Sequence, residues 1–315
     1  MRQRTLLAFA IVYLVWGSTY LAIRYAVETM PPFFLAGTRF LLAGGALMVW
    51  ARLRGAPAPD RREWKASLQL GVLYIVFGNG LVVWAERWVE SGAAALVVAS
   101  VPIWVALIDY FRSGRVFGPG RWLGLASGLA GIVVLVGPGS ARGLDPLGAT
   151  LLLVASVTWS LGSVIQRELP LPKDRILSAG TQMLCAGIVM VVLSTALGDW
   201  REVLASPPSA RSWLAWSYLV VAGSMIAFTA YSWLAAHEEP TRVATYAYVN
   251  PVIAVLLGWG LAGEALTLRM MIAMAAIIGA VVLIVWPVPA GTGRIEARAG
   301  REPAPTPRAS STSPV

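Results

Sequence analysis

The sequence predicts an all-α integral membrane protein with ten transmembrane helices, arranged as two inverted five-helix repeats. Three observations predict this fold class: the apolar composition, the regular spacing of apolar stretches, and a similarity between the two halves of the chain. Hydrophobic residues make up 57% of the 315 residues and charged residues only 13%. A water-soluble domain of this length could not bury so much apolar surface, so membrane lipid is its expected surroundings.

Ten apolar stretches, separated by short segments rich in charge, Gly and Pro, are each long enough to cross a hydrocarbon core of about 30 Å as a helix. They cover residues 5–27, 33–50, 66–86, 92–110, 121–137, 147–167, 176–197, 213–236, 241–261 and 268–286. Residues 287–315 are rich in Pro, Ser, Thr and Arg without a periodic apolar face, which predicts a disordered tail.

The distribution of Lys and Arg predicts the orientation, because these residues are enriched in cytoplasmic loops. With the amino terminus inside, the cytoplasmic segments hold 18 of the 25 Lys and Arg residues and the opposite loops hold five. We therefore expect a multi-pass protein of the cell membrane, the inner membrane in a bacterium, with both termini in the cytoplasm. Membrane orientation then explains the excess of positive charge, and we do not expect nucleic acid as a partner.

The two halves of the chain are similar in sequence. Residues 36–44 read AGTRFLLAG and residues 179–187 read AGTQMLCAG, with six of nine positions identical. At the same offset Trp16 corresponds to Trp159, and at an offset of 149 Pro102 corresponds to Pro251. We predict one repeat over residues 1–139 and a second over 140–286.

A repeat of five helices contains an odd number of crossings, so the second copy must enter the membrane from the opposite side. Inverted repeats of this kind provide two related conformations that open to opposite sides, with a substrate site near the midplane. This architecture predicts a carrier that works by alternating access.

The sequence resembles the EamA-type exporters of the drug/metabolite transporter superfamily. The resemblance covers residues 5–286 and rests on WGSTY at 16–20, Arg24, Pro31-Pro32, Arg39-Phe40 and YAYVNP at 246–251. It implies a secondary transporter that exports small molecules such as amino acids, aromatic metabolites or drug-like amphiphiles through a central cavity. We expect a monomer that needs no cofactor.

Candidate substrate-binding residues are aromatic or polar side chains inside the spans. Trp16 and Tyr20 share one face of the first helix, where aromatic rings with a polar edge suit an amphiphilic substrate, although packing is the alternative. Arg39 lies within the second span, where an unpaired charge costs about 2.5 to 3.5 kcal/mol, so it should face the interior. The full predicted set is Trp16, Tyr20, Arg39, Asn79, Trp104, Trp159, Ser163, Gln182, Tyr246 and Asn250.

Candidate gating residues lie near helix ends or at prolines. Arg24 and its repeat equivalent Arg167 would lie at opposite mouths, with Glu28 or Glu90 as partners of the first and Glu239 as a partner of the second. Pro102 and Pro251 each remove a backbone hydrogen bond, which provides a bend. The predicted gating set is Arg24, Glu90, Arg167, Glu239, Pro102 and Pro251.

Other functions are less consistent with the sequence. It has no His-Glu-x-x-His metal motif and no Gly-x-Ser-x-Gly nucleophile motif, so we expect neither a metal nor an intramembrane enzyme. No acidic residue is predicted to be central, which favours facilitated export or loose coupling over tight proton coupling. A sugar-phosphate or nucleotide-type exchanger and a channel remain alternatives.

Overall fold

The computed structural model describes residues 2–113, 118–136, 145–238, 243 and 245–285. Within these residues ten long helices follow one another along the chain, and we number them α1 to α10. They are α1 (Arg2–Ile11, Val12–Trp16 and Gly17–Ala26), α2 (Pro32–Leu53), α3 (Arg61–Leu70, Gly71–Asn79 and Gly80–Ala85), α4 (Ser91–Val98 and Val101–Ser113), α5 (Pro119–Val136), α6 (Pro146–Ile165), α7 (Arg175–Leu197), α8 (Ala210–Tyr218, Leu219–Ile226 and Ala227–His237), α9 (Tyr246–Ala262) and α10 (Leu268–Val285).

The predicted spans agree with these helices, which confirms the ten-helix membrane fold. Seven of the helices are long and apolar enough to cross a membrane, and α5, α9 and α10 contain shorter apolar stretches. The predicted start of α9 at residue 241 and the predicted tail at 287–315 lie outside the described residues, as does the boundary between the two repeats at 139 and 140.

The helix ends follow local sequence signals. Asp145 and Asp174 each accept a hydrogen bond at 2.8 Å from a backbone N–H of the first turn, of α6 and α7 respectively. Gly198 and Gly263 follow the ends of α7 and α9 with φ angles of 83° and 67°, a left-handed conformation that favours glycine.

The crossing of α2 and α7 relates the two repeats directly. A Cβ atom on Gly37 would lie 2.9 Å from the backbone nitrogen of Val191, and one on Gly180 would lie 2.8 Å from that of Met48. These two contacts are images of each other under the offset of 143. The same reciprocity relates two further contacts, Gly44 with Leu184 and Gly187 with Leu41.

The order of these contacts also gives the relative direction of the two helices. As residue numbers rise from Gly37 to Met48 along α2, those of the partners fall from Val191 to Gly180 along α7. Because α2 and α7 are equivalent helices that run antiparallel, the repeats are inverted. Other equivalent helix pairs repeat the pattern, and the equivalent helices α5 and α10 pack against each other. The contact of α1 with α9 corresponds to that of α6 with α4. The contact of α1 with α8 corresponds to that of α6 with α3.

We call the end of the bundle at which α1 begins the N-terminal end, and the other the distal end. A short helix, Asp199–Ala205, lies at the distal end. The Asp199 carboxylate accepts a hydrogen bond at 3.1 Å from the backbone N–H of Phe34, at the start of α2. Burial raises the pKa of the Asp199 carboxyl, whereas the hydrogen bond from the Phe34 N–H lowers that pKa.

Candidate substrate pathway

Three helices widen into π-helical turns midway along their length: Val12–Trp16 in α1, Gly71–Asn79 in α3 and Leu219–Ile226 in α8. The turns of α3 and α8 occupy equivalent positions in the two repeats. A π-helical turn leaves carbonyl groups outside the usual bonding pattern, and such turns are frequent at functional sites. The indole Nε1 of Trp16 donates to one of these carbonyls, that of Gly223, at 3.2 Å.

Trp16 lies at the centre of a group of aromatic rings contributed by α1, α8 and α9. Its ring centroid lies 5.1 Å from that of Tyr231, 5.4 Å from that of Tyr246 and 6.5 Å from that of Phe228. We call these four residues the aromatic cluster. Trp16 and Tyr246 were predicted from the sequence, whereas Phe228 and Tyr231 were missed, because neither belongs to a recognisable motif.

A related but smaller arrangement surrounds Trp159 of α6, the equivalent of Trp16 in the second repeat. The ring centroid of Tyr74 lies 4.8 Å from that of Trp159, and the Tyr74 ring covers Gly162. Tyr74 was not predicted, because its equivalent in the second repeat is Gly223 and the self-comparison therefore gave no signal. The two tryptophans thus occupy equivalent positions but have different neighbours.

Asn250 and Pro251 lie in α9 beside α1. Asn250 is buried, and with its amide nitrogen oriented as donor it donates to the carbonyl oxygens of Tyr246 at 3.3 Å and of Tyr13 at 3.2 Å. Pro251 lies within the continuous helix Tyr246–Ala262. Tyr13 also shares a short hydrogen bond with Thr245, so polar contacts connect α1 and α9 along this side of the cluster.

Arg39 faces the interior, as predicted, with 4% of its surface exposed. Its Nε donates to the Ser224 hydroxyl at 2.8 Å, and its guanidinium lies over the Phe40 ring at 4.6 Å. The Nη1 atom is buried without a hydrogen-bond partner among the described residues. Arg39 therefore combines a fixed position with one unused charged donor.

Glu86 is more deeply buried than its position at a helix end suggests. This residue directly follows α3, and none of its surface is exposed. Glu86 interacts electrostatically with Glu264, Arg24 and Arg39. Glu86 lies at a helix end, consistent with the expectation that no acidic residue is central, but its complete burial was not predicted.

The predicted gating residues at the distal end have mixed outcomes. Arg24 donates from Nη1 to the carbonyl oxygen of Glu86 at 2.7 Å, so it binds the end of α3. Glu28, one of its two suggested partners, instead lies 3.5 Å from Arg211 in an ion pair. Glu90 directly precedes the first helical residue of α4.

The other gating residues are the pair at the N-terminal end and the two prolines. The side chain of Arg167 and the whole of Glu239 lie outside the described residues, so their pairing stays a prediction. The helix α4 is interrupted between Val98 and Val101, directly before Pro102, whereas α9 is continuous through Pro251. A gating role of the two prolines stays a prediction.

Three predicted binding residues form hydrogen bonds within their own helices. Trp104 donates from its indole to the Ser100 hydroxyl at 3.0 Å and packs towards α5 and α10, away from the aromatic cluster. The Ser163 hydroxyl donates to the carbonyl oxygen of the residue four positions earlier, and Gln182 donates to a serine hydroxyl one turn earlier. Because of these bonds, none of the three side chains belongs to the aromatic cluster.

Two further predicted binding residues lie beside the pathway. The Asn79 Oδ1 is buried without a partner among the described residues, at the end of the wide turn of α3. Tyr20 packs at the edge of the core formed by α3, α4, α6 and α9.

Within the described part of the chain, no group of three or more His, Cys, Asp or Glu side chains is arranged to hold a metal ion. An apolar groove of about 750 Å³ follows α2 beside Trp216. Leu42, Val49 and Leu53 line it and are exposed, which is expected of a surface that faces lipid.

Comparison with known proteins gives a consistent result. The model of the EamA-like transporter family matches residues 3–137 and again residues 146–286. The uncharacterized inner membrane transporter YedA of Escherichia coli (strain K12) is 41% identical over 293 residues, which cover 90% of this chain and 92% of YedA. The uncharacterized transporter YvbV of Bacillus subtilis (strain 168) is 24% identical, covering 90% of this chain and 92% of YvbV. A crystal structure with 24% sequence identity shares the fold, with a TM-score of 0.60 over 90% of this chain and 96% of the other.

Proposed function

Because the chain belongs to the EamA-like transporter family, we propose that it is a secondary transporter that exports small organic molecules by alternating access. The observation that carries this proposal is the aromatic cluster around Trp16, which lies beside the wide turns of α1 and α8. Inverted repeats supply two related conformations, and a site at their junction can be exposed to either side.

The surroundings of the cluster support a preference for neutral, zwitterionic or monoanionic substrates with an aromatic or apolar part. Aromatic rings provide large apolar contact area with a polar edge. Arg39 has one unused donor, Nη1, for a carboxylate. Arg24 is engaged with the carbonyl oxygen of Glu86, so a phosphate group would find few free cations here.

The charge distribution supports placing the N-terminal end of the bundle in the cytoplasm and the distal end outside. In this orientation both predicted termini are cytoplasmic. Export then requires substrate to enter the bundle between the helices of the N-terminal end and to leave past Arg24 and Glu86 at the distal end.

Counterflow in proteoliposomes tests the proposal. Purified protein would be reconstituted with unlabelled amino acids, nucleobases or sugar phosphates inside, and uptake of the labelled compound would be measured. We expect saturable counterflow of a compound from the first two groups. Trp16→Ala should lower the apparent affinity by about tenfold, which corresponds to about 1.4 kcal/mol of lost aromatic contact.

Trp104→Ala is the matched control, because Trp104 lies towards α5 and α10 and should leave counterflow close to that of the unmodified protein. Flux that does not saturate would indicate a channel. A preference for phosphorylated compounds would indicate a sugar-phosphate or nucleotide-type exchanger and would contradict the substrate class proposed here.

A further inference from the structure

Of the three buried carboxyl groups that the described residues place at the distal end, Glu86 after α3 and Glu264 after α9 lie in opposite environments. Glu264 is 9% exposed and caps the start of α4. Its Oε1 accepts hydrogen bonds from the backbone N–H and the hydroxyl of Ser91, both at 2.7 Å, and its Oε2 accepts one from the N–H of Gly92 at 3.0 Å. The amino-terminal end of a helix stabilises a negative charge.

Glu86 has none of this support, although it is more deeply buried. Within the described part of the chain, neither oxygen of the Glu86 carboxyl accepts a hydrogen bond. An ionised carboxylate without hydrogen bonds is strongly disfavoured in a water-free site, whereas a protonated one is neutral.

The charged and titratable groups around Glu86 come from several elements. Glu264 belongs to the segment that follows α9, Arg24 and Tyr20 to α1, and Arg39 to α2. Neither arginine forms a hydrogen bond with the Glu86 carboxyl: Arg24 donates to the Glu86 carbonyl oxygen, and the Arg39 Nε donates to a serine hydroxyl of α8 while its Nη1 has no partner among the described residues. The negative charge of Glu264 opposes a second negative charge nearby.

We propose that Glu86 is a proton-binding site, neutral while the distal end is closed and ionised when that end opens to water. Closing then takes one proton from the water on the distal side and transfers it to the Glu86 carboxylate, with no other reactant. The inference deepens the proposed function, on which it rests, because it makes the conformational step of transport dependent on H⁺. The sequence had favoured facilitated export or loose coupling.

Hydrogen–deuterium exchange, measured by mass spectrometry on the full chain in nanodiscs between about pH 5.5 and 8.5, tests this site without a known substrate. The readout is deuterium uptake in peptides covering residues 83–95 and 258–268, compared with peptides at the N-terminal end. Variants are compared at equal pH, which removes the effect of pH on the chemical exchange rate. For a single proton, the ratio of closed to open forms should change by up to about tenfold per pH unit.

We expect the unmodified protein to open at the distal end as pH rises, because the ionised form of Glu86 favours the open state. Glu86→Gln imitates the neutral carboxyl and should remain closed at every pH. Glu264→Gln is the matched control, since it weakens the cap of α4. It should raise distal exchange at all pH values and keep a pH dependence, shifted to lower pH because the repelling charge beside Glu86 is gone.

A Glu86→Gln protein that follows the pH dependence of the unmodified protein would overturn the proposal. A flat pH profile of the unmodified protein would overturn it as well, and needs no variant. Counterflow of the labelled compounds reports separately on the proposed function, so a protein that shows the pH-dependent opening but no counterflow would refute only transport.

Discussion

Arg39 is the buried cation that we propose to bind a substrate carboxylate, because one of its nitrogens, Nη1, has no partner among the described residues. The equivalent position in the second repeat holds Gln182, whose Nε2 donates to Ser178 of the same helix at 3.0 Å. A glutamine therefore fits at this position of the repeat. This pair would make the proposed pathway electrostatically asymmetric, with its positive charge on the side of the first repeat.

This asymmetry leads to a prediction for Arg39→Gln. The variant should fold, but its affinity for a monocarboxylate probe should fall by about 10- to 100-fold, as expected for the loss of a hydrogen bond from a charged donor. The affinity for an uncharged aromatic probe should change little. Competition against counterflow in proteoliposomes measures both, and an equal loss for the two probes would contradict a role in binding the carboxylate.

Individual residues were only partly predictable from the sequence. Trp16, Tyr246 and Arg39 were found because each is unusual inside an apolar span. The cluster residue Tyr231 was missed, and the complete burial of Glu86 could not be predicted, for a physical reason. Their surroundings are made by other helices, and only the packed structure determines burial at a helix end.

At the scale of the helices, close backbone contact between α2 and α7 depends on glycine. Gly44 and Gly187 are equivalent residues, and each faces the backbone of the other helix so closely that a Cβ atom would clash. Neighbouring Gly45 has nothing within 4 Å of its added Cβ position. Gly44 and Gly187 should therefore be sensitive to substitution by alanine, and Gly45 provides a control next to Gly44.

Gly44→Ala and Gly187→Ala should each lower the free energy of unfolding by about 1 to 3 kcal/mol, because the added methyl group forces the helices apart. The two effects should be similar, since the contacts are reciprocal. Gly45→Ala should be neutral or slightly stabilising, because alanine favours the helix. Thermal unfolding in detergent gives the comparison, and equal melting temperatures for all three variants would disagree with the close crossing.

The positions of the ten helices were predictable because hydropathy alone determines which stretches cross the membrane. The interruption of α4 was partly predictable from Pro102. The wide turns in α1, α3 and α8 were not, since a change of backbone hydrogen bonding depends on contacts between helices, such as that of Trp16 with Gly223. Proline and glycine mark some irregular positions, but these turns contain no proline.

At the scale of the whole molecule, inversion of the repeats places the ends of equivalent helices on opposite sides. Ala58 lies at the N-terminal end, between α2 and α3, and Ser206 lies at the distal end, after the short helix. Both are exposed. They are suitable markers of the two sides of the membrane.

With Cys185 replaced by Ala to remove the one native thiol, Ser206→Cys should react with a membrane-impermeant maleimide in intact cells. Ala58→Cys should react only after the cells are permeabilised, because the positive loops keep that end inside. Labelling of both positions from the same side would be incompatible with the orientation.

Alternating access is tested most directly at Ser163, one turn after Trp159 in α6. This residue is half-buried, and the preceding Gly162 lies against Tyr74 in the wide turn of α3. Ser163→Cys, in the Cys185→Ala background, would be treated with an impermeant thiol reagent in right-side-out and in inside-out membrane vesicles. We predict labelling from both sides, because each of the two conformations exposes the pathway to one side. Labelling from one side only would contradict alternating access.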